Sequence, residues 1–353
     1  MKKILKALLI IITAVVILGV AFILWLTITE FDPDPIMDTE IAVAEDYSER
    51  LSADRELNIL SWNTGYSGLG KDSDFFMDGG ENVKSADRDT VSDTLQGIYD
   101  TVYGGEVPYD VVLLQEVDVN SSRTYGINEL EKLSVYNTAF AYNYKAPFVP
   151  YPLPPIGRVN SGLMTGSVFE VAEAQRHALP CPFSWPVSAA NLKRCLLVSY
   201  IPIEGSDRQL VIVNLHLEAY DDGEGKIAQT KQLMDFVQSE YEKGNYVIAG
   251  GDWNQVFPGG FEVFPNTHED LWKVGSLTED ILPGGWSFAF DLSVPTCRLL
   301  NQPYEPSDTE NTQYYVIDGF MLSPNVELVS VKTLDEGFTY SDHNPVSLCV
   351  KIH

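Results

Sequence analysis

The sequence predicts an α/β sandwich preceded by one apolar N-terminal helix. Nine short segments rich in Val, Ile, Leu and Tyr alternate with only two clear helical segments, and neither a GxGxxG sequence nor a phosphate-loop lysine motif is present. Residues 7–29 contain no charged side chain. With 353 residues, of which 45% are hydrophobic and 11% aromatic, the chain is too apolar to be disordered and long enough for one large domain.

The first 29 residues are interpreted as an uncleaved membrane anchor. A helix over the uncharged residues 7–29 would be about 35 Å long, and the hydrocarbon core of a bilayer is about 30 Å thick. Lys2, Lys3 and Lys6 precede this segment and acidic residues follow it, which predicts a single-pass protein of the cell membrane with a cytoplasmic N-terminus and an extracytoplasmic domain. A long cleaved signal peptide and a buried helix of a soluble domain are the alternatives.

Residues 30–55 are polar and acidic and are interpreted as a linker, and residues 56–353 as the single domain that follows. Strands are predicted over Leu57–Trp62, Val111–Gln115, Gly162–Thr165, Cys195–Ile201, Leu210–His216, Tyr246–Ala249, Tyr315–Met321, Val326–Val331 and Val346–Ile352. Apolar residues at helical spacing predict helices over Thr90–Val102 and Ile227–Lys243. The proline-rich segment 146–155 is predicted to be a loop, either a rigid surface connection or a lip that faces a substrate.

The acidic charge of the chain narrows the choice of partners. The formal net charge is −27, and because residues 1–29 hold three lysines and no acid, residues 30–353 carry −30. Such a field repels polyanions, so a nucleic-acid partner is less favoured. The four cysteines form no CxxC pair, which argues against a zinc–thiolate site, and they are interpreted as unpaired. No protein partner is inferred.

Carboxylates, amides and imidazoles gather at six places where apolar strands begin or end. A single solvated aspartate at a strand end carries no information, but six mixed clusters favour a ligand site at the open rim of a sheet. The candidate site residues are Asn63, Glu116, His216, Asp252, Asn254, Asp318, Asp342 and His343.

The chemistry of these side chains suits a divalent cation. Glu116 and Asp342 offer hard carboxylate oxygens, and Asn63 could add an amide oxygen. Together with waters, such ligands form a loose octahedral site for Mg²⁺ or Mn²⁺.

The remaining side chains suit proton transfer. Asp252 could take a proton from water that Asn254 positions, and Asp318 could orient one imidazole. His216 and His343 could donate to phosphate oxygens or shuttle protons near neutral pH. A metal, a water-activating carboxylate and two imidazoles together indicate phosphoester hydrolysis.

Six segments resemble, in order, the signature blocks of one enzyme superfamily. They read LNILSWNTGY, LLQEVD, VNLHLEA, GGDWNQ, YVIDGFML and SDHNPV and span residues 57–346. They are similar to the endonuclease/exonuclease/phosphatase superfamily, which includes deoxyribonuclease-like nucleases, abasic-site endonucleases, inositol polyphosphate phosphatases and neutral sphingomyelinases. The resemblance implies a four-layer α/β sandwich of two mostly antiparallel mixed sheets flanked by helices, with Asn63, Glu116 and Asp342 on the metal side of the site.

The resemblance also implies roles for the other candidates. Asp252 and Asn254 match the pair that orients and deprotonates the attacking water, and Asp318 matches the partner of a catalytic histidine. His343 matches the histidine on the scissile phosphate, and His216 a phosphate-contacting histidine of the nuclease and sphingomyelinase branches.

One block departs from the family pattern. Many members continue from a segment like SGLMT into Ser-Arg-hydrophobic-Pro, whereas residues 161–167 read SGLMTGS and contain no arginine. The cations that could replace it, each also interpretable as a solvated or structural charge, are Lys145, Arg158, Arg176 and Arg194.

The sequence favours a phosphodiesterase that acts on a lipid head group or a small phosphoester outside the membrane. The anchor, the negative charge and the apolar, aromatic segment Tyr142–Ile156 support this prediction. An extracytoplasmic metal-dependent nuclease is the first alternative. The second is a catalytically inactive, membrane-tethered binding protein. Against it, all eight candidate positions carry the residue of the family pattern that this sequence resembles.

Overall fold

Two seven-stranded sheets form the body of the protein in the computed structural model, which describes residues 1–105, 108–221, 223–308 and 310–353. The helices are α1 (Lys2–Ile28), α2 (Arg88–Tyr103), α3 (Glu129–Leu133), α4 (Glu224–Glu242) and α5 (Gly260–Val263). Single 3₁₀ turns lie at Gly65–Ser67, Phe76–Asp78, Val187–Ala190 and Glu279–Ile281.

The strands fall into two large sheets and two short pairs. Sheet I has the order β1 (Ile36–Asp38), β7 (Glu173–Ala178), β8 (Cys195–Pro202), β9 (Gln209–His216), β10 (Tyr246–Asp252), β16 (Asp318–Leu322) and β13 (Ser287–Ala289). Sheet II has the order β17 (Val326–Thr333), β18 (Val346–Ile352), β3 (Glu56–Asn63), β4 (Val111–Asp118), β6 (Gly157–Ser167), β5 (Asn137–Val149) and β2 (Ile41–Ala42). The short pairs join β11 (Gln255–Val256) to β12 (Gly275–Ser276) and β14 (Cys297–Arg298) to β15 (Tyr314–Tyr315).

Each large sheet contains one parallel pair among its described strands, β9 with β10 in sheet I and β3 with β4 in sheet II. The other neighbours in both sheets run antiparallel. The two sheets are therefore mixed and mostly antiparallel, as predicted.

The sheets pack face to face because alternate residues of each strand point inward. In β3, Leu57 and Ile59 join the core between the sheets, whereas Leu60 and Trp62 face α2 on the outside. Leu233 of α4 packs in the same way on the outer face of sheet I. The order α4, sheet I, sheet II, α2 confirms the predicted four-layer sandwich.

Every predicted strand and helix has a counterpart in the structure, but β5, β7, β13, the short strands β11, β12 and β14 and the helices α3 and α5 were not predicted. Three predicted segments also differ from what the structure shows. The segment predicted as one strand from Tyr315 is divided, because the carbonyls of Val316 and Ile317 accept hydrogen bonds from Phe257 and Trp253 instead of continuing a ladder. The first residues of the proline-rich segment are the end of β5, paired with β6, so the loop begins only at residue 150.

The third difference lies in residues 30–55, which are predicted to be a linker. This segment contains β1, which pairs with β7 at the edge of sheet I, and β2, which pairs with β5 at the edge of sheet II. The domain boundaries at residues 29 and 55 stay predictions, but the segment is part of the sandwich and does not merely lead into it.

One described helix, α1, is long and apolar enough to cross a membrane. The side chains of Ile4, Val16 and Leu18 are exposed along it, and only Leu26, close to its C-terminal end, is buried. The helix is therefore a candidate anchor.

We expect Gly251→Ala to destabilise the fold strongly. Gly251 has φ +147°, and a Cβ atom there would lie 1.9 Å from the carbonyl oxygen of Leu215. The left-handed conformation and the overlap together should lower the free energy of unfolding by about 3–5 kcal/mol, measured by urea titration in mild detergent. Gly205→Ala is the matched control, since Gly205 also has positive φ but nothing within 4 Å. Equal losses in the two variants would contradict this account.

Candidate active site

Three candidate residues lie side by side on neighbouring strands of sheet I. Asp252, the last residue of β10, is in register with His216 of the parallel β9. On its other side it is in register with Asp318, the first residue of the antiparallel β16. Because adjacent strands are about 4.8 Å apart, this register places an imidazole and two carboxylates in one row.

Sheet II contributes Asn63 and Glu116 from its own parallel pair. Asn63 ends β3 and is in register with Gln115 of β4. The pairing of β4 with β6 is irregular between Leu114 and Val117, and Glu116 has φ +58° in this bulge. A bulge changes the direction of a side chain, so the strained backbone turns Glu116 into the site.

The last block is joined to the first by hydrogen bonds. The Ser341 hydroxyl donates to the backbone oxygen of Asn63 at 2.7 Å and accepts from the backbone N–H of His343 at 3.1 Å. The indole N–H of Trp62 donates to the backbone oxygen of His343 at 2.8 Å. These contacts bring the segment 341–343 against the ends of the parallel strands.

His343 and Asp318 form a close pair. The imidazole Nδ1 lies 2.8 Å from Asp318 Oδ2, and its Nε2 lies 3.8 Å from Asp252 Oδ2 and 3.9 Å from Asp342 Oδ2. Burial alone would lower the pKa of His343, but the neighbouring groups, Asp318 foremost, outweigh it and hold the pKa well above its usual value. His343 is therefore an imidazolium near neutral pH.

Asp252 is oriented by its neighbours and has a pKa near neutrality. Its Oδ2 accepts from the amide of Asn63 at 3.0 Å, and its Oδ1 accepts from the backbone N–H of Asn254 at 2.9 Å. Burial, with the charge of Asp318 added, raises the pKa of Asp252 to about 6. Such a carboxylate suits a general base because its pKa lies close to the pH at which it would work.

His216 differs from His343 in its charge. Its Nε2 lies 3.3 Å from Asp252 Oδ2, and burial followed by the charges of Arg194 and His343 lowers the pKa of His216 well below its usual value. The imidazole is therefore neutral. Its Nδ1 is buried and has no hydrogen-bond partner among the described residues, so it is available to a bound ligand.

Glu116 and Asp342 form the acidic part of the site. Burial raises the pKa of Glu116, and it raises the pKa of Asp342 to about 7, with the Glu116 charge adding to the effect. Donor atoms also lie within 4.8 Å of one another in two trios, one of Asp252, Asp318 and His343 and one of Cys297, Asp342 and His343. Neither trio is the predicted ligand set, which shares only Asp342 with them, so the assignment of the metal ligands stays a prediction.

The predicted site residues meet in one cleft of about 580 Å³. Seven of the eight line it, and the eighth, Asp318, contacts His343, which does. The lining residues are Asn63, Glu116, His216, Asp252, Asn254, Asp342 and His343. The amide oxygen of Asn63 accepts from the backbone N–H of Gly65 and its nitrogen faces Asp252, so Asn63 orients the carboxylate in this structure.

Of the four cations proposed to replace the missing arginine, only Arg194 lines the cleft. It is buried and donates to the backbone oxygen of His216 at 3.2 Å. Arg158 instead donates to the backbone oxygen of Asn120, while Lys145 and Arg176 lie beside Tyr142 and Phe31 in a separate groove.

Sequence reasoning missed Arg123 and Cys297. The Arg123 guanidinium lines the cleft, stacks 3.6 Å from the centre of the Tyr66 ring and forms two hydrogen bonds with Asp118. No local pattern marks it, because its burial depends on a tyrosine more than fifty positions away. Cys297 is predicted from the sequence only to be unpaired, yet its thiol borders His343.

The family model for the endonuclease/exonuclease/phosphatase family matches residues 60–343. The fold is similar to an endonuclease/exonuclease/phosphatase from Beutenbergia cavernae, with 17% identity, a TM-score of 0.53 and coverage of 84% of this chain and 72% of that one. A protein of the same description from Bacteroides vulgatus has 12% identity, a TM-score of 0.53 and coverage of 85% and 100%. Truncated TDP2 of Caenorhabditis elegans has 16% identity, a TM-score of 0.50 and coverage of 84% and 98%. No curated protein matches the sequence of this chain.

The chain belongs to the endonuclease/exonuclease/phosphatase family. Members of this family are typically divalent-metal-dependent phosphoester hydrolases, and the cleft described above contains acidic and imidazole groups of the kind that such chemistry uses.

We expect Asp318→Asn to lower the pKa of His343 by at least about one pH unit, because an opposite charge within hydrogen-bond distance raises a histidine pKa by that amount. The measurement is an NMR titration of the imidazole with EDTA present. Asp54→Asn, which removes the carboxylate beside the distant His353, should leave the His343 titration unchanged. An unchanged pKa in Asp318→Asn would show that the pair does not set the charge of His343.

Proposed function

We propose that this chain is a divalent-metal-dependent phosphoester hydrolase, a phosphodiesterase that acts on a lipid head group or a small phosphoester outside the membrane. The observation that carries the proposal is the buried cluster of Asp318, His343 and Asp252. It combines a carboxylate with a pKa near 6 and an imidazolium within 3.8 Å of it. A base and a cationic acid at this spacing suit the attack of water on a phosphate ester.

The acidic part of the cleft fits a divalent cation. Glu116 is half-buried and Asp342 is buried, and the raised pKa values of both carboxyl groups indicate that ionising them without a counter-charge costs free energy. Oxygen ligands of this kind suit Mg²⁺ or Mn²⁺. When bound there, such an ion would polarise the phosphoryl oxygens and offset the charge that develops on them.

The side chains of the site have different roles in hydrolysis. Asp252, held by Asn63 and Asn254, accepts a proton from the attacking water. His343, kept protonated by Asp318, donates to the phosphate or to the leaving oxygen. His216 is neutral with its Nε2 beside Asp252, so its Nδ1, which has no partner among the described residues, can accept a hydrogen bond from a substrate hydroxyl or a bound water.

Two observations favour a lipid or small phosphoester over nucleic acid. Residues 30–353 carry a formal charge of −30, which repels a polyanion. The walls of the cleft above the polar floor are largely apolar, with Phe75, Phe76 and Tyr151 among them. Hydrolysis of plasmid DNA in preference to phospholipid vesicles, on the same preparation, would favour the nuclease. The lack of turnover on any phosphoester would favour the binding protein.

The location outside the membrane rests on α1. The lysines at its N-terminal end favour a cytoplasmic start, which would place the sandwich on the extracytoplasmic side of the cell membrane.

We expect Asp252→Asn and His343→Gln each to slow hydrolysis of bis-p-nitrophenyl phosphate by at least ~10²-fold, because each removes a proton-transfer group. The rate is followed by release of nitrophenolate with Mg²⁺ or Mn²⁺ present. His268→Gln alters a histidine outside the cleft and should retain the rate of the unmodified protein. Near-normal turnover in both site variants would refute the assigned roles.

We expect Glu116→Gln to weaken Mn²⁺ binding by at least about tenfold, since the variant removes a charged oxygen donor. Isothermal titration calorimetry measures the affinity without relying on turnover. Glu269→Gln removes an exposed carboxylate outside the cleft and is the control. If the two variants bind Mn²⁺ equally well, Glu116 is not a ligand.

A further inference from the structure

The cleft that contains the candidate active site also includes the end of the apolar helix α1. Its floor carries the carboxylates and imidazoles, while Phe22, Ile23 and Leu26 of α1 form part of its wall. A helix whose only function is to tether the domain has no reason to contribute side chains to the catalytic cleft. The end of α1 and the candidate active site therefore belong to one cleft.

Three contacts fix the end of α1 against the sandwich. The indole N–H of Trp185 donates to the Thr27 hydroxyl at 2.9 Å, and Lys193 pairs with Glu30 at 2.6 Å. The rings of Phe22 and Phe148 meet edge to face, with centroids 6.0 Å apart. These side-chain contacts therefore fix the position of the cleft relative to the C-terminal end of α1.

These contacts place the mouth of the cleft at the edge of the apolar segment. Phe22 and Leu26 lie in the last two turns of α1, within about 10 Å of its C-terminal end at a rise of 1.5 Å per residue. If α1 spans a bilayer, this height is the boundary between hydrocarbon and head groups, where aromatic side chains such as Trp185 accumulate.

Several exposed apolar side chains lie in loops that contribute to the cleft. We name Met77, Tyr151, Leu153, Trp185 and Val187 the apolar rim; they are 41%, 69%, 87%, 59% and 57% exposed. They belong to three separate loops, and Met77, Tyr151 and Val187 also line the cleft. Large apolar side chains exposed beside a cleft of an acidic domain indicate a contact with another apolar phase.

We propose that the apolar part of the cleft holds an acyl chain of a phospholipid drawn sideways from the bilayer that α1 spans, with its phosphate at the polar floor. This inference rests on the proposed hydrolase function and names its substrate class. The cleft volume of about 580 Å³ is within the range of small-molecule sites. Lateral entry past Ile23 keeps the chain in contact with apolar surface throughout, so no acyl group crosses water.

Photolabelling of the full-length protein tests the inference. The protein is placed in phosphatidylcholine nanodiscs with EDTA and a trace of phosphatidylcholine that carries a diazirine at the end of one acyl chain. After irradiation, labelled peptides are mapped by mass spectrometry. Labels are expected within 149–156 and 187–192, which line the cleft, as well as along α1.

Two variants of α1 distinguish labelling inside the cleft from labelling at the membrane surface. Ile23→Trp enlarges a side chain that lines the cleft, and overpacking of 1–3 kcal/mol should lower labelling of 187–192 by at least about fivefold. Ile17→Trp is the matched control, because Ile17 is 61% exposed on α1 and does not line the cleft. Labels confined to α1, or equal labelling of 187–192 in both variants, would overturn the inference.

Hydrolysis of bis-p-nitrophenyl phosphate by the unmodified protein is measured in parallel. An active protein whose cleft takes no label refutes the acyl-chain site and leaves the hydrolase function standing. A labelled cleft in a protein without turnover refutes the hydrolase function alone.

Discussion

The site depends on the register of three neighbouring strands. Asp252 is aligned with His216 on one side and with Asp318 on the other, and a slip of one residue in β10 would send its side chain to the opposite face of the sheet. Gly250 and Gly251 permit this alignment, since a Cβ atom at either position would collide with Phe320 or Leu215. The glycines of the GGDWN block therefore help to form the site, because they allow the strands that carry its side chains to approach one another.

The same register concentrates negative charge where water is scarce. Asp252, Asp318 and Asp342 are each at least nine-tenths buried, and the protonated His343 lies among them. In such surroundings each charged group is stabilised mainly by its charged neighbours. The imidazolium favours the ionised carboxylates, and the carboxylates in turn favour the protonated imidazole. Positive charge, whether from His343, Arg123 or a metal ion, therefore stabilises this cluster of carboxylates.

The sequence was sufficient for features that are encoded locally. In the first and fourth signature blocks a buried strand ends on a polar residue, so both the strand and Asn63 or Asp252 could be predicted together. Features that depend on residues far apart in the chain could not be predicted from the sequence. The strands at 36–38 and 41–42 are too short to show periodicity and pair with segments about a hundred or more positions away, and the burial of Arg123 depends on its stacking with Tyr66.

The two short strands between residues 36 and 42 have a consequence for any shed form of the protein. Because they are the edge strands on one side of each sheet, a protease that cut after residue 42 would expose the longer strands β7 and β5 as edges, and long unpaired edges readily join other chains. A clean release from the helix must therefore fall between residues 29 and 35. Severed there, the sandwich would keep these two short strands in place over the longer strands β7 and β5.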